Sequence, residues 1–141
     1  MDLFSKELDL LSLSYEEVEK IASTCTKCRL SQGRTKVVFG NGPVPCDLML
    51  IGEAPGAEED LQGFPFVGRA GQLLTQILSS VGIKRPDDIY IANTVKCRPP
   101  ENRAPQADEQ AACGPYLAAQ IKLVRPKIIL LAGAPAVKAI L

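Results

Sequence analysis

The segment DLMLIGEAPG, residues 47–56, carries the sequence signal on which the predicted fold rests. Residues 47–51 form a short apolar run of the kind found in a strand that is buried on both faces, and the glycine- and proline-rich sequence after it ends the strand sharply. Strands of this kind belong to parallel sheets whose two faces are covered by helices. The sequence therefore predicts a buried parallel strand that runs into a glycine-rich turn.

Strands and helices alternate on either side of this stretch. A capping box at Ser14 opens a helix that ends near Thr24, and residues 29–45 are predicted as a loop or short hairpin. Further strands are predicted at 89–95 and 127–131, further helices at 70–81 and 105–123, and Pro135 is placed to start another helix. The helix over 70–81 shows one apolar face, made of Leu73, Leu74, Ile77, Leu78 and Val81, with Gly82 as its stop. The alternation predicts an α/β fold with three layers, α/β/α, around a central parallel sheet.

Length and composition fit one domain over residues 1–141, with a hydrophobic content of 46% that is sufficient for a core. The net charge is zero, but residues 1–20 carry six acids and two bases, so the remaining residues carry fourteen bases and ten acids. A modestly basic body of this kind is compatible with a polyanionic partner without demonstrating one. Charges interrupt every apolar run of the first twenty residues, and no run approaches the eighteen or so residues that span a bilayer. We therefore expect a cytoplasmic protein without a membrane partner.

Four of the five cysteines suggest a metal centre. Cys25 and Cys28 form a Cys-x-x-Cys pair, Cys97 and Cys113 follow far downstream, and the chain contains no histidine. An all-thiolate ligand set favours zinc or an iron–sulfur cluster. A disulfide framework and a redox Cys-x-x-Cys remain as alternatives, although the first is typical of secreted chains and the second normally follows a strand. The fifth cysteine, Cys46, is predicted as a small buried residue ahead of a strand.

Three loops leave the carboxyl edge of the predicted sheet, where ligands of parallel α/β folds bind. The first carries Glu53, the second begins at Asn93, and the third is Ala132-Gly133-Ala134. A carboxylate and a carboxamide on one rim can position a water and read the polar edge of a heterocycle. The glycines at 52 and 56 could equally form only a tight turn, and a phosphate loop is disfavoured because no Gly-Lys-Ser/Thr ending follows.

Several segments, taken together, resemble one known family. They are GEAPG at 52–56 with Glu59 and Asp60 after it, GFPFVGRAGQLL at 63–74, and NTVKCRPP at 93–100 with Asn102 and Arg103. These segments are similar to those of the family four uracil-DNA glycosylases, the iron–sulfur members of the uracil glycosylase superfamily. The resemblance covers roughly residues 20–141.

The resemblance implies an enzyme that flips uracil out of DNA and cleaves its N-glycosidic bond. It implies that Cys25, Cys28, Cys97 and Cys113 bind a [4Fe-4S] cluster. It also implies that Glu53 orients the attacking water, that Phe66 stacks on uracil and that Asn93 pairs with the uracil edge. Glu59 is expected beside uracil C5, where it would exclude thymine. Judged by residue type alone, Phe66 could be ordinary core and Asn93 could simply cap a turn.

The basic residues Lys96, Arg98 and Arg103 flank a cluster cysteine and are predicted to contact DNA phosphates, although they could form a solvated loop. In that arrangement the cluster would be a scaffold for a DNA-binding loop. A monomer acting on uracil-containing DNA is expected.

The sequence departs from the family pattern in one respect. The family carries a His-Pro-Ser or similar motif after a further helix and strand, and this chain has no histidine. The resemblance therefore implies a domain that is incomplete at its C-terminus, with the last strand and helix missing. The alternatives are an impaired cluster-bearing nucleic-acid-binding module and, if the motifs are set aside, a zinc-stabilised domain.

Overall fold

The computed structural model describes residues 10–141, so the first nine residues of the predicted 1–141 domain lie outside the described part. The helices are α1 (Tyr15–Ser23), α2 (Ala57–Gln62), α3 (Arg69–Ser80), α4 (Ala107–Val124) and α5 (Ala134–Ile140). The strands are β1 (Leu48–Gly52), β2 (Tyr90–Asn93) and β3 (Ile128–Leu131), and short 3-10 helices cover Arg29–Gln32 and Pro100–Asn102.

The three strands form one parallel sheet in the order β2-β1-β3. In the register of β1 and β2, Gly52 lies opposite Asn93, and in that of β1 and β3, Ile51 lies opposite Leu131. The three strands therefore end side by side at one edge, which confirms the predicted parallel arrangement.

Helices cover both faces of the sheet, because the side chains of each strand alternate between them. On one face, Met49 and Ile51 of β1 pack with Leu117 of α4 and Ala136 of α5. On the other face, Leu50 packs with Leu78 of α3. The predicted three-layer α/β/α architecture is confirmed.

The first helix forms as predicted. The Ser14 hydroxyl accepts from the Glu17 amide at 3.3 Å, and the Glu17 carboxylate accepts from the Ser14 amide at 3.0 Å, which is a complete capping box. The hydroxyl groups of Tyr15 and Tyr90 are 2.7 Å apart, so a hydrogen bond connects α1 to β2.

The apolar face predicted for α3 is only partly buried. Leu78 is buried against the sheet, but Leu73, Ile77 and Val81 are 57%, 54% and 69% exposed. The same side of β3 is also uncovered, with Ile128 at 59% and Leu130 at 42% exposure, and we call these five residues the α3–β3 surface. Among the described residues, only part of the apolar side of α3 is therefore buried.

Two further details differ from expectation. The helix α2 was not predicted, because its sequence, AEEDLQ, is too short and too polar to show an apolar period. Cys46 is only half-buried, with its thiol 3.6 Å from the Asp88 carbonyl. None of the helices formed by residues 10–141 is both long enough and apolar enough to cross a membrane.

Candidate functional site

The loops after β1, β2 and β3 meet at the carboxyl edge of the sheet. The Thr94 amide donates to the Gly52 carbonyl at 3.0 Å, and the Ala132 amide donates to the Ile51 carbonyl at 2.9 Å. These bonds continue the strand pairing by one residue on each side of β1. Glu53, Asn93 and Gly133 therefore start from neighbouring positions on one rim.

Gly52, the last residue of β1, lies against the side chains of Phe66 and Asn93. A β-carbon at residue 52 would lie 2.5 Å from Cζ of Phe66 and 2.6 Å from Oδ1 of Asn93. Only glycine allows the aromatic ring and the carboxamide to come so close to the strand end. The side chains of Phe66 and Asn93, which are separated by 26 residues of chain, are thus brought together over one glycine.

Asn93 is 2% exposed, and no group among residues 10–141 donates a hydrogen bond to its Oδ1. An unpaired buried acceptor is unfavourable by about 1–3 kcal/mol, and such groups are rare in folded proteins. Asn93 therefore offers a strong acceptor to any donor that enters beside Phe66. Its Oδ1 therefore caps no backbone amide among the described residues.

The loop that presents Phe66 is held by Glu59. Its carboxylate accepts hydrogen bonds from the amides of Gly56 at 3.0 Å, Val67 at 2.9 Å and Gly68 at 2.7 Å. Burial opposes ionisation, but the hydrogen bonds from Gly68, Val67 and Gly56 together leave the pKa of Glu59 below its usual value. Glu59 thus fixes the backbone that follows the predicted stacking ring, a task that its motif alone did not reveal.

Glu53 lies against the loop after β3. Gly133 has φ of 97°, and a β-carbon there would lie 2.3 Å from Oε1 of Glu53. The backbone of Glu53 is anchored as well, because its carbonyl accepts from the Thr94 hydroxyl at 2.7 Å. The predicted water-orienting carboxylate is thereby held between the second and third loops.

The four predicted cluster cysteines line one cavity, which Val95 and Lys96 of the segment after β2 also border. Cys25 and Cys28 follow α1 and are half-buried, whereas Cys97 and Cys113 are buried. Burial raises the pKa of the Cys97 thiol and raises that of Cys113 to about 11. All five cysteines lie among the described residues, and none of them forms a disulfide in this structure.

Several N–H groups point at these sulfurs. The Lys96 amide is 3.3 Å from Sγ of Cys113, Nη1 of Arg34 is 3.4 Å from Sγ of Cys97, and the Lys27 amide is 3.5 Å from Sγ of Cys25. Donors of this kind stabilise thiolates over thiols. Within residues 10–141, however, no three Cys, Asp or Glu side chains crowd closely enough to hold a single metal ion.

Lys96 is not on the surface, so its prediction as a phosphate contact is wrong. It is 1% exposed, its ammonium donates to the Asn93 carbonyl at 2.8 Å, and it also donates to the Gln120 side chain. The chain turns inward immediately after β2, which places Lys96 between the sheet and α4. A buried ammonium with these acceptors supports the loop from beneath and cannot reach a DNA backbone.

Arg98 and Arg103 stay near the surface with different partners. Nε of Arg98 donates to Oδ1 of Asn102 at 2.8 Å, in a short loop contact. Arg103 donates to both oxygens of the fully buried Glu109 carboxylate, each at 2.8 Å. These hydrogen bonds lower the pKa of Glu109 to about 2. Arg103 therefore has a structural partner that its sequence context did not indicate, whereas Arg98 remains available to an external anion.

The comparisons with known proteins agree with this arrangement. The model of the uracil DNA glycosylase superfamily matches residues 39–141. A type-4 uracil-DNA glycosylase of Thermotoga maritima is 48% identical over 134 residues, which are 95% of this chain and 67% of that protein. The type-4 uracil-DNA glycosylase of Sulfurisphaera tokodaii is 49% identical over 85% of this chain and 54% of that protein. The one of Archaeoglobus fulgidus is 44% identical over 85% of this chain and 60% of that protein.

The chain belongs to the uracil DNA glycosylase superfamily and, within it, to the type-4 uracil-DNA glycosylases. It spans between about half and two thirds of the length of these relatives.

Proposed function

We propose that this protein is a DNA-repair hydrolase that flips uracil out of DNA and cleaves its N-glycosidic bond, leaving an abasic site. The names of its relatives support the substrate class, and the rim described above supports the chemistry. An enzyme that acts on a base must take it out of the stack and hold it in a pocket.

The observation that carries this proposal is the unpaired, buried Oδ1 of Asn93 beside the ring of Phe66. Uracil presents an N–H donor next to a carbonyl acceptor on its pairing edge. A carboxamide matches both, because its oxygen accepts and its NH₂ group donates. The neighbouring aromatic ring provides a stacking surface for the same base.

The proposed reaction is a hydrolysis. The bond between sugar C1′ and uracil N1 breaks with both electrons going to uracil, and a water oxygen forms the new bond to C1′. Glu53 orients that water, accepts its proton, and stabilises the positive charge that develops on the sugar. Its backbone anchoring by Thr94 and its contact with Gly133 support this role.

Release of free uracil from a uracil-containing oligonucleotide tests the proposal. The native chain should release uracil, and Asn93→Ala should lower the rate strongly because the base loses its edge partner. Asn41→Ala is the matched control, since Asn41 pairs with Ile91 of β2 through backbone hydrogen bonds that alanine keeps. Tight binding of the oligonucleotide without release of uracil would indicate a binding module instead of an enzyme.

We also propose that Cys25, Cys28, Cys97 and Cys113 hold a [4Fe-4S] cluster. The four cysteines line one cavity, and a four-iron cluster binds its cysteines at separate corners. The N–H groups aimed at the sulfurs suit the anionic ligand set. When bound, such a cluster supplies a rigid cross-link between the end of α1, the segment after β2 and α4.

Iron and acid-labile sulfide analysis of anaerobically purified protein tests the cluster. We expect nearly four iron and four sulfide per chain, both lost in Cys113→Ser and both kept in Cys46→Ser, because Cys46 lies outside the cavity. Stoichiometric zinc without sulfide would contradict the proposal.

On the nucleic-acid side, we propose that Arg98 contacts a phosphate and that Arg103 lies beside it on the DNA face. The first assignment is supported by the half-exposed guanidinium of Arg98. Glu59 is proposed to border uracil C5 in addition to holding the Phe66 loop. The expectations of a monomer and of a cytoplasmic location stay predictions.

A further inference from the structure

The ring of Phe66 depends on an unusual backbone turn. Phe66 has φ of 53°, in the left-handed region that residues with a β-carbon seldom adopt. The turn also packs tightly on α3, because a β-carbon on Gly71 would lie 2.0 Å from the carbonyl carbon and oxygen of Phe66. A strained turn of this kind persists only where its surroundings fix it.

Arg85, which lies just before β2, provides such a constraint. Its Nη1 donates to the Phe66 carbonyl at 2.8 Å, and its Nη2 donates to the Pro65 carbonyl at 2.9 Å. The same Nη1 donates to the Thr75 hydroxyl at 3.0 Å, and that hydroxyl donates to the Gly71 carbonyl at 3.0 Å. One guanidinium thus connects both carbonyls of the turn to the helix on which the turn packs.

The two sides of the turn are held by groups of opposite charge. Arg85 contacts the carbonyls of residues 65 and 66, while Glu59 contacts the amides of residues 67 and 68. Among residues 10–141, no carboxylate forms an ion pair with Arg85. The half-buried guanidinium therefore directs its planar fork of donors at the peptide groups beside Phe66.

We propose that Arg85 is a positioning residue that holds the ring of Phe66 over Gly52, where the flipped base stacks. This inference rests on the proposed function for the identity of the base. Arg85 does not touch the base itself. It acts by keeping the Pro65–Phe66 turn in its left-handed form, and loss of both hydrogen bonds would let the ring move away from the rim.

Amide hydrogen exchange tests the positioning without reference to activity. In Arg85→Met, the amides of Val67 and Gly68 should exchange at least about tenfold faster, the scale of one charge-assisted hydrogen bond. Lys84→Met is the matched control, because Lys84 is exposed in the same segment. Arg85→Lys, which keeps the charge without the fork, should give an intermediate rate. Unchanged exchange in both Arg85 variants would overturn the inference.

A double-mutant cycle on uracil release then asks whether Arg85 acts through the ring. Arg85→Met should lower kcat/KM by up to about a hundredfold, the scale of a displaced binding group. Added to Phe66→Ala, it should have little further effect, because no ring is left to position. Fully additive losses would overturn the inference. If the native protein releases no uracil, the proposed function fails, and the exchange experiment still decides the role of Arg85.

Discussion

The ammonium of Lys96 donates a hydrogen bond to the backbone carbonyl of Asn93 at 2.8 Å, while the amide of Lys96 is 3.3 Å from Sγ of Cys113. One buried residue thus contacts both the cysteine cavity and the residue proposed to read the base. Lys96 therefore connects the cysteine cavity to the end of β2 that carries Asn93.

Replacement of Lys96 by methionine should destabilise the fold. The variant keeps the length of the side chain but leaves the Asn93 carbonyl and the Gln120 side chain without their donor. We expect the free energy of unfolding to fall by about 1–3 kcal/mol, the usual effect of unpaired buried acceptors. Denaturant unfolding measures it, with the exposed Lys127→Met as control. Equal stability of the two variants would show that this hydrogen-bond network contributes nothing.

Substitutions of Arg98 and Arg103 should have different effects, the first on DNA binding and the second on stability. Arg98→Gln should weaken DNA binding and reduce the slope of log affinity against log salt by about one unit, with stability unchanged. Arg103→Gln should instead lower stability, because the buried Glu109 carboxylate loses its bidentate partner and keeps only Arg29 and the Gln106 amide. Salt titration of binding and denaturant unfolding of each variant measure the two effects. The same salt slope in Arg98→Gln as in the native protein would place this residue away from the DNA.

The Glu109 pair should also make stability depend on pH. The pKa of Glu109 is depressed from 4.5 to about 2 in the folded protein, first by its hydrogen bonds to Arg103. A carboxyl group whose pKa is lower in the folded than in the unfolded protein stabilises the fold. This contribution is complete above the unfolded pKa and is lost as pH falls from about 4.5 towards 2. The difference in unfolding free energy between the native protein and Glu109→Gln should therefore shrink over this interval. The exposed Glu19→Gln variant is the control. A difference that stays constant with pH would contradict the assignment.

Gly133→Ala should impair catalysis through Glu53. The added methyl would lie 2.3 Å from Oε1 of Glu53, and φ of 97° is unfavourable for alanine. We expect kcat for uracil release to fall more than KM rises, because Glu53 is proposed to orient water and not to bind the base. Gly114→Ala is the contrasting control, since a β-carbon there meets nothing within 4 Å, and it should be neutral or stabilising by about 0.5–1 kcal/mol. A normal kcat in Gly133→Ala would separate Gly133 from the function of Glu53.

The strands and the rim could be predicted from the sequence because their signals are local. Apolar runs mark β1, β2 and β3, and the rule that parallel strands end at one edge brings Glu53, Asn93 and Gly133 together. The position of Lys96 could not be predicted, because nothing in NTVKC shows where the chain turns inward after β2. The role of Arg85 could not be predicted for a related reason. Its partners are backbone carbonyls about twenty residues away, and because every residue has a carbonyl, the sequence does not show which ones accept from Arg85.

The α3–β3 surface has a practical consequence for handling the protein. The outer edge of β3 pairs with no strand among residues 10–141, and it lies beside exposed Ile128 and Leu130. An open strand edge next to apolar side chains is a template on which another extended chain can add. Concentrated samples of this chain should therefore self-associate and lose solubility. A charged residue in place of Leu130 should delay precipitation without changing the rim formed by Glu53, Asn93 and Gly133.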